Sequence, residues 1–299
     1  YETASNFSIR TLVGNSNVVG REMGWTLDEV NQLLKANPEA TLLDYYMTRD
    51  SILYELCSVS MSDFVDWQTG KCSFDSEGFI KLLEFVKTFP EEYVWDEDNY
   101  VSPVELIQSG KQLCSVLYIG DFEQIQMYKA MYGGEITFKG YPTESRKGNV
   151  LDVGSGIAMS SKCVDKEGAW QFMRLQLTED YQSKNMYWNY PTNKAVFNQR
   201  LEEAMRQEYY VDENGERKPV SRGSWGWDGL TVEIYALTQE EADMIMELIN
   251  STERTADYDD NIMQIIIDEA AGFFAGQKSA RDTAAVIQSR VNIYVNEQI

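Results

Sequence analysis

The run Gly110-Lys-Gln-Leu-Cys-Ser-Val-Leu-Tyr-Ile-Gly120, followed at once by Asp121-Phe122, carries the most structural information in the chain. A short helix follows Pro103 and stops at Gly110, because glycine takes the left-handed conformation after a helix at little cost. Leu113 to Ile119 reads as a buried strand. Asp121 is expected to cap a helix that ends at Gly133-Gly134, and Ile136 to Gly140 to form the following strand. Strand, helix and strand spaced this tightly predict parallel pairing through a right-handed crossover. A third strand, Gly156 to Ser160, feeds a helix capped near Asp165 that is expected to bury Ala169, Phe172, Met173 and Leu177. Thr178-Glu-Asp-Tyr-Gln182 closes the unit.

Upstream, residues 7–13 alternate as a half-buried strand that ends at Gly14. Thr26-Leu-Asp-Glu29 is a capping box opening a helix through about Lys35. Apolar positions repeat with helical spacing from Asp44 to Ser62, and Asp75-Ser76 starts another helix with Phe79, Leu82, Leu83 and Val86 on one face. Downstream, Asp212 to Lys218 is a polar turn, and Thr238-Gln-Glu-Glu241 is a second capping box. Ile262, Ile266, Ala270 and Phe273 form a stripe terminated by Gly276. Ser279 caps a last helix whose face is Ala280, Ala284, Ile287, Val291 and Tyr294. The pattern is that of a helix-rich α/β protein.

The 299 residues suffice for one large core or two lobes, and 43% of them are hydrophobic. A net charge of −22 makes nucleic acid and anionic lipid poor partners. Without histidine the chain lacks the commonest metal ligand and the usual neutral-pH base, while carboxylate-pair catalysis stays open. Cys57, Cys72, Cys114 and Cys163 show no zinc or redox spacing; two disulfides are possible, but small buried apolar residues are the expectation. No apolar run reaches the length of a membrane span, and no signal peptide is seen after Tyr1.

Three places carry candidate binding chemistry. Tyr118, Asp121 and Phe122 lie where a strand ends and a helix begins, which is where open α/β sheets place ligands; core packing and helix capping are the competing roles. Trp225-Gly226-Trp227-Asp228 reads as a loop whose rings protrude, or as a plug sealing a helix end. Trp188-Asn189-Tyr190-Pro191 reads first as a packed turn. Trp25 belongs to the staple of its capping box and Trp170 to a core stripe. Asp257-Tyr258-Asp259-Asp260 lacks the glycine and distal glutamate of a calcium loop and is read as helix capping. There is no serine nucleophile elbow, and Gly154-Ser-Gly156 lacks the lysine and length of a phosphate loop.

Several pieces, taken in order, resemble the family-1 extracellular solute-binding proteins of ABC importers, the maltose-binding type. They are Gly24-Trp25-Thr26-Leu27-Asp28-Glu29, Phe64-Val65-Asp66-Trp67 with Cys72-Ser-Phe-Asp75, the Gly110–Gln182 run, and Glu269 to Ser279 followed by Ala284 to Arg290. The resemblance implies a type II periplasmic-binding-protein-like α/β fold, present here as a C-terminal portion lacking most of the first lobe. It divides the chain into a second-lobe region 1–155, a segment 156–255 returning toward the first lobe and cleft, and helices 256–299 packing on the second lobe. It implies non-catalytic capture of a solute, expected to be a carbohydrate, with lobe closure and an ABC permease as partner, no cofactor and a monomeric state. It also implies a lipid-anchored location outside the cell. Phe122 corresponds to a stacking aromatic of the relatives, and Trp188 and Tyr190 to their segment that returns toward the cleft. The alternatives are a glycoside hydrolase, which needs two facing acids, and a cell-surface glycan-binding module.

Overall fold

The N-terminal stretch of alternating apolar residues becomes a strand, Glu2–Asn15, in the computed structural model, which describes residues 2–95, 100–185, 188–257 and 259–299. This strand is the centre of a six-stranded sheet. Cys114–Ile119 pairs with it antiparallel through residues 9–14, and Val150–Ala158 through residues 2–10. Ile136–Phe138 and Tyr190–Pro191 add two short antiparallel ladders, and Arg254–Thr255 pairs parallel to Val150–Leu151.

The parallel crossover expected from the Gly110 run is therefore corrected. Cys114–Ile119 and Ile136–Phe138 do run in the same direction, but Val13 pairs with Ser115 on one side and Phe138 on the other. The N-terminal strand lies between them, an insertion that local spacing does not reveal.

Alternation along the strands divides the core into two layers. Leu12, Cys114 and Val150 face a large cluster built by the helices Leu27–Ala36, Arg49–Phe64, Glu77–Val86, Asp260–Phe274 and Ala280–Gln298. Ile9, Val13, Leu117 and Ile119 face a second cluster with the helices Pro103–Gln108, Gln124–Met131, Lys194–Met205 and Gln239–Ser251. The result is a helix–sheet–helix sandwich.

Local signals place most helix starts. Thr26 and Thr238 form their capping boxes, and Ser76, Asp165 and Ser279 accept their N3 amides. Asp259 caps the helix Asp260–Phe274, as the capping reading expects, while Tyr258 lies outside the described residues. All four cysteines are free thiols. Burial pushes the Cys57 thiol up to about 12, and the buried Cys114 thiol well above its usual range.

Three expectations are overturned by packing. Asp121 does not cap the helix: its Oδ1 accepts from the Glu123 amide at 2.7 Å in a local turn, and the helix starts at Gln124. In Lys166–Leu175 only Met173 is buried; Phe172 is 60% exposed, and Trp170, assigned to a core stripe, is exposed as well. The Trp225 segment is no loop. Gly223–Trp227 pairs with Leu230–Ile234 as a hairpin turned by Asp228 (φ 50°) and Gly229 (φ 88°). An Asp-Gly pair is the sequence signal for such a turn, because both central residues need positive φ.

Candidate functional site

The helix Arg49–Phe64 crosses the sheet, and its side chains step from strand to strand. Tyr118 donates to Glu55 at 3.2 Å, Arg10 to Ser58 at 2.9 Å, and Arg254 to both Asp63 oxygens at 3.0 and 2.6 Å. Tyr118, Arg10 and Val150 are neighbours in register, as are Val150 and Arg254. Arg10 also pairs with Glu55 at 3.0 Å, and Tyr141 donates to the same carboxylate at 2.7 Å. This buried network holds Tyr118 upright at the sheet end with its ring 44% exposed. Burial, then the Glu55 charge, raises the Tyr118 hydroxyl above its ordinary value, so it stays a donor at neutral pH.

The chain crosses here at close quarters. A Cβ on Gly120 would lie 2.8 Å from the Trp188 carbonyl oxygen and 2.7 Å from Asn189 Oδ1, and one on Gly154 would lie 2.1 Å from Asn6 Oδ1. Glycine at these two points lets Asn189 reach Asn6, with Nδ2 to Oδ1 at 3.0 Å. Trp188 is left projecting, 86% exposed.

On the other side of the sheet end a cleft of about 340 Å³ is lined by Asp121, Glu123, Asn189, Arg200, Glu203 and Arg222, with Phe122 and Tyr190 at its back. Burial, then the Asp121 charge, raises the Glu123 carboxyl, against the pull of Arg222 at 3.4 Å.

The structure thus separates the predicted Tyr118–Asp121–Phe122 trio. Tyr118 faces the Arg49–Phe64 layer, while Phe122 turns into the opposite core. Phe122 is 6% exposed and packs with Tyr190 and Phe197 at centroid distances of 5.0 and 5.3 Å. Tyr190 is 1% exposed, and its hydroxyl donates to the Asp121 carbonyl at 3.3 Å. Neither ring shows a face to solvent here. They support the cleft from behind, and among the described residues Tyr118 and Trp188 are the exposed aromatics near the Gly120 turn.

Trp225, Trp227 and Asp228 lie outside the cleft lining, on the hairpin. Trp225 packs against the second core, with Trp227 at 6.0 Å centroid to centroid and exposed. Asp228 accepts from the Tyr100 hydroxyl at 2.7 Å. That bond leads to a group sequence reasoning missed. Tyr46 and Tyr93, Tyr93 and Trp95, and Trp95 and Tyr100 form a run of rings with centroids 4.8, 6.5 and 5.2 Å apart. The available signal was the density of aromatics in Asp44–Met47 and Tyr93–Trp95, two segments flanking helices.

No family model matches the sequence, and no curated protein matches it. Solved structures do. An ABC-transporter solute-binding protein from Thermotoga lettingae, bound with α-D-tagatose, superposes at a TM-score of 0.55 and 14% identity, over 99% of this chain and 72% of that one. The sugar-binding protein MalE of Xanthomonas citri gives 0.56 and 12% over 98% and 70%. A putative oligosaccharide periplasmic-binding protein from Synechococcus, in complex with zinc, gives 0.57 and 16% over 99% and 73%. At these identities the likeness establishes the fold alone: a helix-rich α/β fold of the periplasmic solute-binding kind.

Proposed function

We propose that the chain is the ligand-capturing subunit of an ABC importer and binds a carbohydrate without transforming it. The observation that carries the reading is the sheet end, where Tyr118 and Trp188 are exposed and a cleft holding the Asn189 amide and the Asp121 and Glu123 carboxylates opens beside the Gly120 turn. Aromatic faces pack on the C–H faces of sugars while short polar groups take the hydroxyls. Tyr118, Trp188, Asp121 and Asn189 are assigned to the ligand, with Phe122 and Tyr190 as support. Trp225, Trp227 and Asp228 belong to a separate surface.

On this reading the chain is a C-terminal portion of a family-1 protein, and most of a first lobe precedes Tyr1. The exposed Phe172 and Leu175, three apart on one helix face, support this, because apolar pairs left open on an amphipathic helix mark a surface that something covers. Residues 1–155 then form the body of the second lobe, 156–255 return toward the first, and 256–299 pack back on the second. Closure of two lobes on the sugar works as a population shift, since contacts made only in the closed state supply the differential affinity. A permease partner, a monomeric state and a lipid anchor outside the cell complete the proposal.

One observation favours a hydrolase: the raised Glu123 beside Asp121 in a cleft. Both groups are engaged structurally, Glu123 by Arg222 and Asp121 by the Glu123 amide, so binding is preferred.

A thermal-shift screen of the full-length precursor tests the reading, using mono- and oligosaccharides with a peptide pool as control. A native-state ligand raises the melting temperature by mass action. A rise with one sugar class is expected. A rise with peptides only, or release of reducing ends from the sugars, sinks it.

A further inference from the structure

The run of rings beyond the cleft is arranged for more than packing. Thr41–Leu43 runs along the start of the edge strand, with the Cys114 amide donating to the Leu42 carbonyl at 2.8 Å. Just past it, Tyr45 and Tyr46 stack at 4.3 Å and support Tyr93 at 5.6 and 4.8 Å. Outward from this base the rings become exposed. Trp95 is 55% exposed, and Tyr100 and Trp227 are exposed too. Tryptophan left open to this degree, with the open Tyr100 ring 5.2 Å away, forms a patch rather than a scattered surface residue.

Two features make the patch a binding surface of particular chemistry. It is pre-set: the Tyr100–Asp228 hydrogen bond joins one chain segment to the tip of the hairpin, and the Asp228-Gly229 turn fixes that tip by its positive φ values. It is also amphipathic. Trp95 offers an indole N–H, and the Tyr100 hydroxyl oxygen and the exposed Asp228 carboxylate offer acceptors; the bond to Asp228, then burial, raises the Tyr100 hydroxyl so that it stays neutral. Apolar ring faces beside an indole N–H, a hydroxyl oxygen and a carboxylate match an uncharged polyhydroxylated chain. The net charge of −22 disfavours an anionic polymer on the same surface.

We infer that Trp95 and Tyr100, continuing the run from Tyr46 and Tyr93 and with Asp228 at their edge, form a second glycan-holding surface, separate from the sheet-end site, that grips a linear oligosaccharide several residues long. The carbohydrate assignment rests on the functional reading above; the surface does not need lobe closure, because all its residues lie on this chain. Its consequence is a preference for length, since a single sugar covers one ring and a longer chain covers several.

Calorimetric titration of this 299-residue chain with maltoheptaose and cellohexaose, with glucose as the short control, tests it. At least one long sugar is expected to bind about tenfold or more tighter than glucose, the worth of one further aromatic contact. Trp95→Ala is expected to weaken the long sugar about tenfold and to remove most of its advantage over glucose. Tyr100→Phe, which keeps the ring and removes the bond to Asp228, should weaken it severalfold, with melting curves confirming folded protein. Equal binding of long and short sugars, no binding of either, or a long-sugar affinity untouched by Trp95→Ala overturns the inference. The two readings fail separately. A precursor that responds to sugar, with this chain indifferent to length, keeps import and removes the second surface. A chain that holds long sugars through Trp95, with a precursor that gives no shift with mono- or disaccharides, keeps the surface and removes cleft capture.

Discussion

Two aromatic groups in this protein are built from the same residue types and end in opposite states. Phe122, Tyr190 and Phe197 close on one another in the second core, whereas Tyr46, Tyr93, Trp95 and Tyr100 run outward along the surface. The difference lies in what covers them. The first group is roofed by Lys194–Met205 and by the ladder that fixes Tyr190 opposite Phe7. The second rests on Tyr45 at its base and reaches the hairpin tip through the Tyr100–Asp228 hydrogen bond. Composition alone does not separate a core box from a binding surface; the number of elements folded over the rings does.

The largest test of this contrast is paired truncation. Phe122→Ala should cost about 3–5 kcal/mol of stability, because it opens a cavity in a packed core. Trp95→Ala should stay within about 0.5 kcal/mol, as exposed substitutions do. Chemical denaturation of both variants checks this, and similar losses would show that the rings are one structural unit.

A second comparison sets Lys166–Leu175, whose apolar face is open, against Ala280–Gln298, whose face is buried. Phe172→Ser should leave this chain's melting temperature nearly unchanged. In the full-length precursor it should cost about 2 kcal/mol, the worth of one buried phenylalanine. An equal effect in both proteins would break the reading that a first lobe covers this face.

At the sheet end, Tyr118→Ala and Trp188→Ala should each weaken sugar binding by the precursor about tenfold, or about 1.4 kcal/mol, with no loss of fold. Affinity measured by calorimetry and left unchanged in both variants would move the site elsewhere.

The smallest effect concerns pH. Burial works to raise the Glu241 carboxyl, but the Thr238 amide, Lys129 and Gln126 together hold it below its ordinary value of 4.5. A carboxylate lowered in the folded state contributes stability that is present above its ordinary value and lost as pH falls through the lowered one. Glu241→Gln should therefore cost about 1 kcal/mol at neutral pH and flatten the loss of melting temperature between about pH 5 and 3.

Much of the helical layer was legible because its signals are local. The Thr26, Ser76, Thr238 and Ser279 caps and the Ile262 and Ala280 stripes need only neighbours within a turn or two. The site was legible in part. Gly120-Asp121 does mark the strand end, but the alternation that sends Tyr118 to one layer, and the packing that draws Phe122 into the other, depend on where the N-terminal strand enters. The Asp228-Gly229 turn is a local signal too, since a hairpin of this kind needs positive φ at both positions.

The sequence by itself determined a helix-rich α/β chain with no histidine, a strongly acidic surface and capped amphipathic helices, since each follows from composition or short-range hydrogen bonding. Tertiary structure alone decided three things. It placed Glu2–Asn15 between two strands that local spacing would have paired. It left the Phe172 and Leu175 face open while burying the apolar face of the last helix. It also brought Tyr100 to Asp228, residues 128 apart in the chain. Each depends on contacts between distant segments, and those are set by which surfaces exclude water together rather than by any residue's own preference.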